Sequence, residues 1–265
     1  ALTYTNRNLL GKAEQLSMSS VTSFQAQIGG KSNTIFEQSI NARLSLPGSR
    51  LLSKLDNNPK VLSYSTQVNI SYVYQKNPDY KRNILPANYS YLINKRKNNN
   101  WLLTPIEINF NRSTVNPTFF NQLSDQEKKF ISILFARNFI LSSHVTYFTT
   151  KVSKRNPNKN WFIRTNVLEV GGNSLYAASR IFNSNQDTFG TYTILGVPFS
   201  QYVRSDIDIR LTHKIDVNNT MVYRVNTGLA LPYGNRDFLP VDKRYFIGGA
   251  NSLRGWNPRA MGPGN

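Results

Sequence analysis

The chain has no cysteine, two histidines, and 14 acidic residues against 32 basic ones. Without cysteine there is no disulfide framework, no thiolate zinc site and no cysteine nucleophile. His144 and His213 lie far apart with no metal-ligand spacing, which favours structural roles and leaves no metal or cofactor site to name. No apolar run approaches the ~18 residues of a transmembrane helix. A membrane barrel is untouched by that absence, because its strands need only alternate apolar residues. The shortage of acid leaves a formal charge of +18 on 265 residues. Only 17% of residues are charged, and apolar periodicity runs throughout, which excludes a disordered basic tail. Ala1 opens directly in strand-like sequence with no leader pattern. Gly262-Pro263-Gly264-Asn265 ends in loop composition, so both ends read as cut points in a longer chain.

What is there is period two. From Gln15 to Ile28, Leu16, Met18, Phe24, Ala26 and Ile28 alternate with Gln15, Ser17, Ser19, Ser23 and Gln25. One face is mostly apolar, with Ser20 and Thr22 among it, and the other mostly polar, with Val21 among it, as in a strand between two environments. The same alternation marks Phe36–Leu46, Val61–Tyr74, Leu85–Ile93, Ile106–Phe110, Trp161–Val170, Tyr202–His213 and Met221–Leu231. Ser142–Lys151 is ambiguous, since Ile140, His144 and Phe148 share one parity while Val145 and Tyr147 take the other. Each pattern alone fits a soluble sandwich or a membrane barrel. The aggregate favours the barrel: many strands exceed the usual ~5–6 residues and approach the ~9–11 of a tilted membrane strand. Tyr72, Tyr74, Tyr89, Tyr91, Tyr147 and Phe148 cluster near strand ends as interfacial girdles do. Ser124-Asp125-Gln126-Glu127 is a capping box predicting a short helix over Lys128–Asn138, inside a long loop spanning 112–137. Short turns (Lys95–Asn100, Lys151–Asn160, Asp216–Asn219) alternate with long connections (112–137, 171–200, and from Pro232 on), as in outer-membrane barrels.

No catalytic constellation stands out, and no enzymatic activity is expected. Asp206 and Asp208 share a face as paired carboxylates would. Arg204 and Arg210 lie on that same face, and Arg224 projects from the next strand. Cross-strand charge pairing along a lumen is the simpler reading. Gly248-Gly249-Ala250-Asn251 lacks the Lys-Ser/Thr and the helix of a phosphate loop. The basic residues spread over turns and loops: Lys95-Arg96-Lys97, Lys151, Lys154, Arg155, Lys159, Lys243-Arg244. No recognition helix or aromatic RNA-reading motif accompanies them, so nucleic acid is not the expected partner. Anionic headgroups at barrel rims would attract the same residues.

The segment 232–265 carries a motif: Lys243-Arg244-Tyr245-Phe246-Ile247-Gly248-Gly249-Ala250-Asn251-Ser252-Leu253-Arg254-Gly255-Trp256, followed by Gly262-Pro263. It resembles the inward-folded loop of the BamA/TamA outer-membrane assembly (surface-antigen) family. That loop reads aromatic–x–Gly-Gly–x–x–Ser–aliphatic–Arg-Gly–aromatic. Phe246, Gly248, Gly249, Ser252, Leu253, Arg254, Gly255 and Trp256 match position by position. Thr5–Glu14, Tyr74–Tyr80 and Leu195–Phe199 are similar to segments of Bacteroidetes-type, including TamA-like, members.

The resemblance implies an all-β fold: about ten strands, the second to the eleventh of a transmembrane antiparallel barrel of 16, with 232–265 as its sixth extracellular loop. It implies that Arg254 reaches through the lumen to an acidic partner outside this chain. It also implies a role without cofactor: insertion or translocation of unfolded client β-barrel proteins by strand templating at a lateral gate, with accessory subunits, among outer-membrane lipid and lipopolysaccharide. A passive porin and a soluble basic nucleic-acid-binding β-domain are the rival readings.

Overall fold

The computed structural model describes residues 1–9, 11–26, 34–48, 61–95, 98–135, 137–182, 185–187, 190–248 and 253. Twelve strands lie among them: β1 (Leu2–Asn6), β2 (Gln15–Ala26), β3 (Thr34–Pro47), β4 (Val61–Lys76), β5 (Tyr80–Lys95), β6 (Asn99–Val115), β7 (Asn138–Val152), β8 (Lys159–Gly171), β9 (Thr193–Ile194), β10 (Val197–Pro198), β11 (Gln201–Lys214) and β12 (Thr220–Tyr233). Ten form a single sheet in the order β1-β2-β3-β4-β5-β6-β7-β8-β11-β12, every neighbour antiparallel. β9 and β10 form a small hairpin in the loop between β8 and β11. The sheet is a partial β-barrel and is not closed.

Burial settles the choice between sandwich and barrel. Among the described residues six apolar side chains are buried against seventeen polar or charged ones. Met18, Phe24, Ile40, Ile70, Ile106, Val225 and Leu229 are exposed on the opposite face. A water-soluble sandwich buries its apolar face; this sheet inverts that rule, as a barrel in lipid does. Aromatic pairs form two belts on the outer face: Trp101–Tyr147 and Tyr89–Tyr91 near one end, Phe110–Phe139 and Phe36–Tyr74 near the other.

Several strands run longer than their alternation predicts. Ile106–Phe110 is the middle of the 17-residue β6. The register of β6 shifts across Pro105, between Thr104 and Glu107, and that of β8 shifts across Val167 and Leu168. Such bulges flip side-chain parity while the ladder continues, so periodicity sees an end where none exists. Phe148, expected in a girdle, stands opposite Arg164 on the inner parity instead.

The helix after Ser124 spans Asp125–Leu134 (α2), earlier than expected, and Asn138 opens β7. Ser124 Oγ donates to Glu127 Oε2 at 2.7 Å and Glu127 N donates back at 3.4 Å, closing the capping box. Ladder pairing of Asn138 with Asn111 takes over from the helix. Two helices had no clear periodic signal. α1 (Pro117–Asn121) starts from an Asn116 cap with proline in its first turn, and α3 (Asn173–Ile181) follows a left-handed Gly172. Long loops (116–137, 172–200, and from 234) share one end and short turns the other. Two connections depart from that: 77–79 is a tight turn at the long-loop end, and 48–60 is long at the short-turn end.

Candidate functional site

After β12 the chain turns back onto the inner face of the sheet. Pro240 leads into a 3-10 turn, Val241–Lys243, and this turn meets the wall formed by β5, β6, β8 and β11. Three side chains, those of Asp242, Lys243 and Tyr245, carry the contact. Asp242 meets Arg82 on β5 at 2.6 Å, and Asn111 on β6 donates to its other oxygen at 3.4 Å. Lys243 Nζ lies 2.8 Å from Glu107 Oε1 on β6 and 2.6 Å from Glu169 Oε1 on β8. Tyr245 lies under the Arg204 guanidinium, 4.6 Å from ring centroid to carbon.

The strands position these groups through the two bulges. Without the shift across Pro105, Glu107 would share the outward parity of Leu103, and the shift at Val167–Leu168 does the same service for Glu169. Both carboxylates thereby converge on one ammonium group. Lys243 is only 8% exposed, so its charge needs both partners to be tolerated there. Burial alone would lower its pKa; Glu107 and Glu169 outweigh that and hold it above the ordinary 10.5. Burial also raises the Tyr245 hydroxyl, with Asp206 adding to and Arg204 opposing the shift.

Further polar groups surround the two carboxylates. His144 Nδ1 is 3.0 Å from Glu107 Oε2. Tyr202, fully buried, donates its hydroxyl to Glu169 Oε1 at 2.9 Å, and Asn166 Nδ2 donates to Oε2 at 3.2 Å. Arg204 Nε donates to the Tyr245 hydroxyl at 3.2 Å, and Nη1 to the Lys243 carbonyl at 3.3 Å. Two glycines make room: a Cβ at Gly171 would enter the Tyr202 ring, and one at Gly228 would sit 2.5 Å from that of Tyr245. At the rim, Asn235 Nδ2 donates to the carbonyls of Tyr192 and Phe199, so the 172–200 loop holds the loop's point of departure.

Of the stripe expected to line the lumen, Arg204 and Asp206 belong to this docking site. Asp206 Oδ1 lies 3.6 Å from Arg204 and 3.3 Å from the Tyr245 hydroxyl. Asp208, Arg210 and Arg224 form a separate cluster further along β11 and β12. Arg210 and Arg224 stand directly opposite each other, and Asp208 accepts from both, at 2.7 and 2.8 Å. Like charges in that register repel; the carboxylate between them removes the conflict.

Of the motif residues, Phe246 and Leu253 are exposed and Gly248 has a φ of +107°. Gly249, Ser252, Arg254, Gly255 and Trp256 lie outside the described residues. One sequence expectation is corrected here: Lys243 is not a rim cation but the buried centre of the docking site. The sequence does not single out Glu107, Glu169, Tyr202, Asp242 or Tyr245 for this site, and it gives His144 only a structural role. The available signal was scarcity, since with only 14 acidic residues a carboxylate inside a membrane strand demands a partner. Among the described residues no three His, Asp or Glu side chains group as a metal site.

An antiparallel sheet with an apolar outer face, a charged inner face and a loop folded against it defines a stretch of outer-membrane β-barrel wall. The Omp85 superfamily domain matches residues 1–265, and the chain belongs to that superfamily. Its members are outer-membrane barrels that insert or translocate proteins, working with client proteins and accessory subunits. No curated protein matches the chain.

Proposed function

We propose that this chain is barrel wall and plug of an outer-membrane insertase or translocase of the BamA/TamA type. The observation carrying this reading is the loop after β12, held on the inner face by Lys243 between Glu107 and Glu169. A loop clamped on the inner face takes up lumen that a passive pore would leave open. A machine whose wall must keep its shape while an edge opens gains from it, because the clamp ties β6 to β8 through the loop. Client strands would then be templated by β-augmentation at a lateral gate between the barrel's first and last strands. The work is strand pairing, with no catalytic residue and no cofactor. Arg254 would hold the distal part of the loop as Lys243 holds its root.

The test is depletion of the protein and complementation with wild type or Lys243→Met. Loss of surface barrel proteins on depletion, with restoration by wild type and weakened restoration by the variant at equal protein level, supports the reading. Normal assembly on depletion, together with steady single-channel conductance from the wild type, replaces it with a passive channel.

A further inference from the structure

The excess positive charge is not spread evenly. At the short-turn end the β1–β2 turn carries Arg7 and Lys12, β5 ends on Lys95, and β11 ends on Lys214. The β7–β8 turn and its flanks add Lys151, Lys154, Arg155 and Lys159. Among the described residues, acid at that end is limited to Glu14, which is buried, and Asp216, which is engaged by Asn218 and Asn219. None of the eight cations is in an ion pair among the described residues. At the long-loop end Asp79, Asp125, Glu127, Asp187 and Asp237 intersperse with the cations. There Lys128 pairs with Asp125, and Arg180 meets the Tyr192 hydroxyl.

Placement narrows the partner. The short-turn cations recur at successive turns along the rim, so they describe a band rather than one patch. Two belong to the aromatic belt below it: Lys95 Nζ sits 5.7 Å over the Trp101 ring, and Lys151 pairs across the ladder with Trp161. Lysine beside an interfacial aromatic is how an amphipathic side chain reaches headgroup level. A band of unpaired cations at that level matches a sheet of phosphates.

We propose that the short-turn rim is a binding surface for anionic phospholipid headgroups of the leaflet on that side, and that this accounts for much of the chain's basic excess. The rim recruits phosphatidylglycerol-like lipids as an annulus; the long-loop rim does not. The inference concerns lipid contact and is independent of any assembly activity.

The test is tryptophan quenching in the full-length protein, reconstituted in phosphatidylethanolamine vesicles with phosphatidylglycerol, either lipid brominated in turn. The signal of Trp161 is isolated by difference with Trp161→Phe. Brominated phosphatidylglycerol is expected to be enriched around Trp161 by roughly threefold over its mole fraction, falling toward parity as salt rises from about 0.05 to about 0.5 M. Joint Lys95→Gln, Lys151→Gln, Lys154→Gln, Arg155→Gln and Lys159→Gln abolishes the enrichment; Lys76→Gln with Lys81→Gln at the opposite rim leaves it. Equal quenching by both lipids in the wild type overturns the proposal and points to an acidic protein surface as the occupant. Enrichment indifferent to salt, or surviving the five substitutions, overturns it as well. Should the fivefold variant not fold, the wild-type salt series and Lys151→Glu decide alone.

Discussion

The inner face divides into two unlike halves. From β5 to β12 it is dense with charge, and the returning loop docks on part of it. From β1 to β4 it is lined by Gln15, Ser17, Ser19, Asn41, Ser45, Gln67, Asn69 and Ser71, around a groove of about 590 Å³. There Arg43 donates to Asn69 at 2.7 Å and Glu37 accepts from Gln75 at 2.9 Å. Both halves obey the same period-two rule, so alternation decides only that the face is polar. The kind of polarity decides what the face does. Amides and hydroxyls tolerate water in any arrangement, whereas buried charges accept few partners and fix geometry. The charged half therefore positions a loop, and the neutral half keeps a wet wall.

The sharpest way to break this comparison is to remove the central cation. Lys243→Met removes the ammonium shared by Glu107 and Glu169, leaving Arg204, 3.7 Å from Glu169, and His144, 3.0 Å from Glu107, as their remaining partners, and is expected to destabilise the barrel by about 3–5 kcal/mol. Loss of heat-modifiable mobility at a lower temperature than wild type measures it. Adding Glu107→Gln and Glu169→Gln should recover much of the loss; no recovery would show that packing, not charge, holds the loop. Next in size is Gly228→Val, which drives a side chain into Tyr245 and costs roughly 1–3 kcal/mol. Tyr245→Ala in the same chain should relieve the clash, and additive losses would mean that the ring does not rest there.

Asp208→Asn is a milder cut in the same half. It leaves Arg210 and Arg224 opposed, for about 1–2 kcal/mol, since both guanidinium groups are a third or more exposed and screened. The docking site also predicts an alkaline limit. Lys243 has a raised pKa, so its contribution is complete below the ordinary value of 10.5 and is lost as pH climbs through the raised folded value. Wild type should lose heat resistance in that window and Lys243→Met should lack that leg. A wild type and variant that fall together above pH 10.5 would remove Lys243 from the account.

Most of the sheet was legible because alternation is imposed by two solvents at once. The strands opening at Gln15 and Val61 begin where the pattern begins, and β12 opens at Thr220, one residue before its pattern. The docking site was not legible, because it depends on where parity fails. Pro105 and the Val167-Leu168 pair look like strand ends or noise in a periodic reading, yet they turn Glu107 and Glu169 inward. Lys243 sits in a run of loop residues beside Arg244, and nothing local distinguishes a buried ammonium from a solvated one. The partners lie 136 and 74 positions away in sequence, which only the closed register of β6, β8 and the loop brings together. The Asp208 cluster was visible as a stripe because all its members obey parity.

The smallest expected effect tests the quiet half. Arg43→Gln removes its principal cation, whose neighbours Asn69 and Asn88 keep their own hydrogen bond at 2.7 Å. Water can replace the lost donor, so stability should change by no more than about 0.5 kcal/mol. Residual ion conductance of the reconstituted protein should nevertheless shift toward cations, because the groove loses its positive charge without losing width. A destabilisation approaching that of Lys243→Met would show that the neutral wall is also a fixed network. The difference between the two halves would then be one of composition and not of mechanical role. A shift in selectivity at unchanged heat resistance instead assigns passage of solutes to β1–β4 and restraint of the loop to β5–β12.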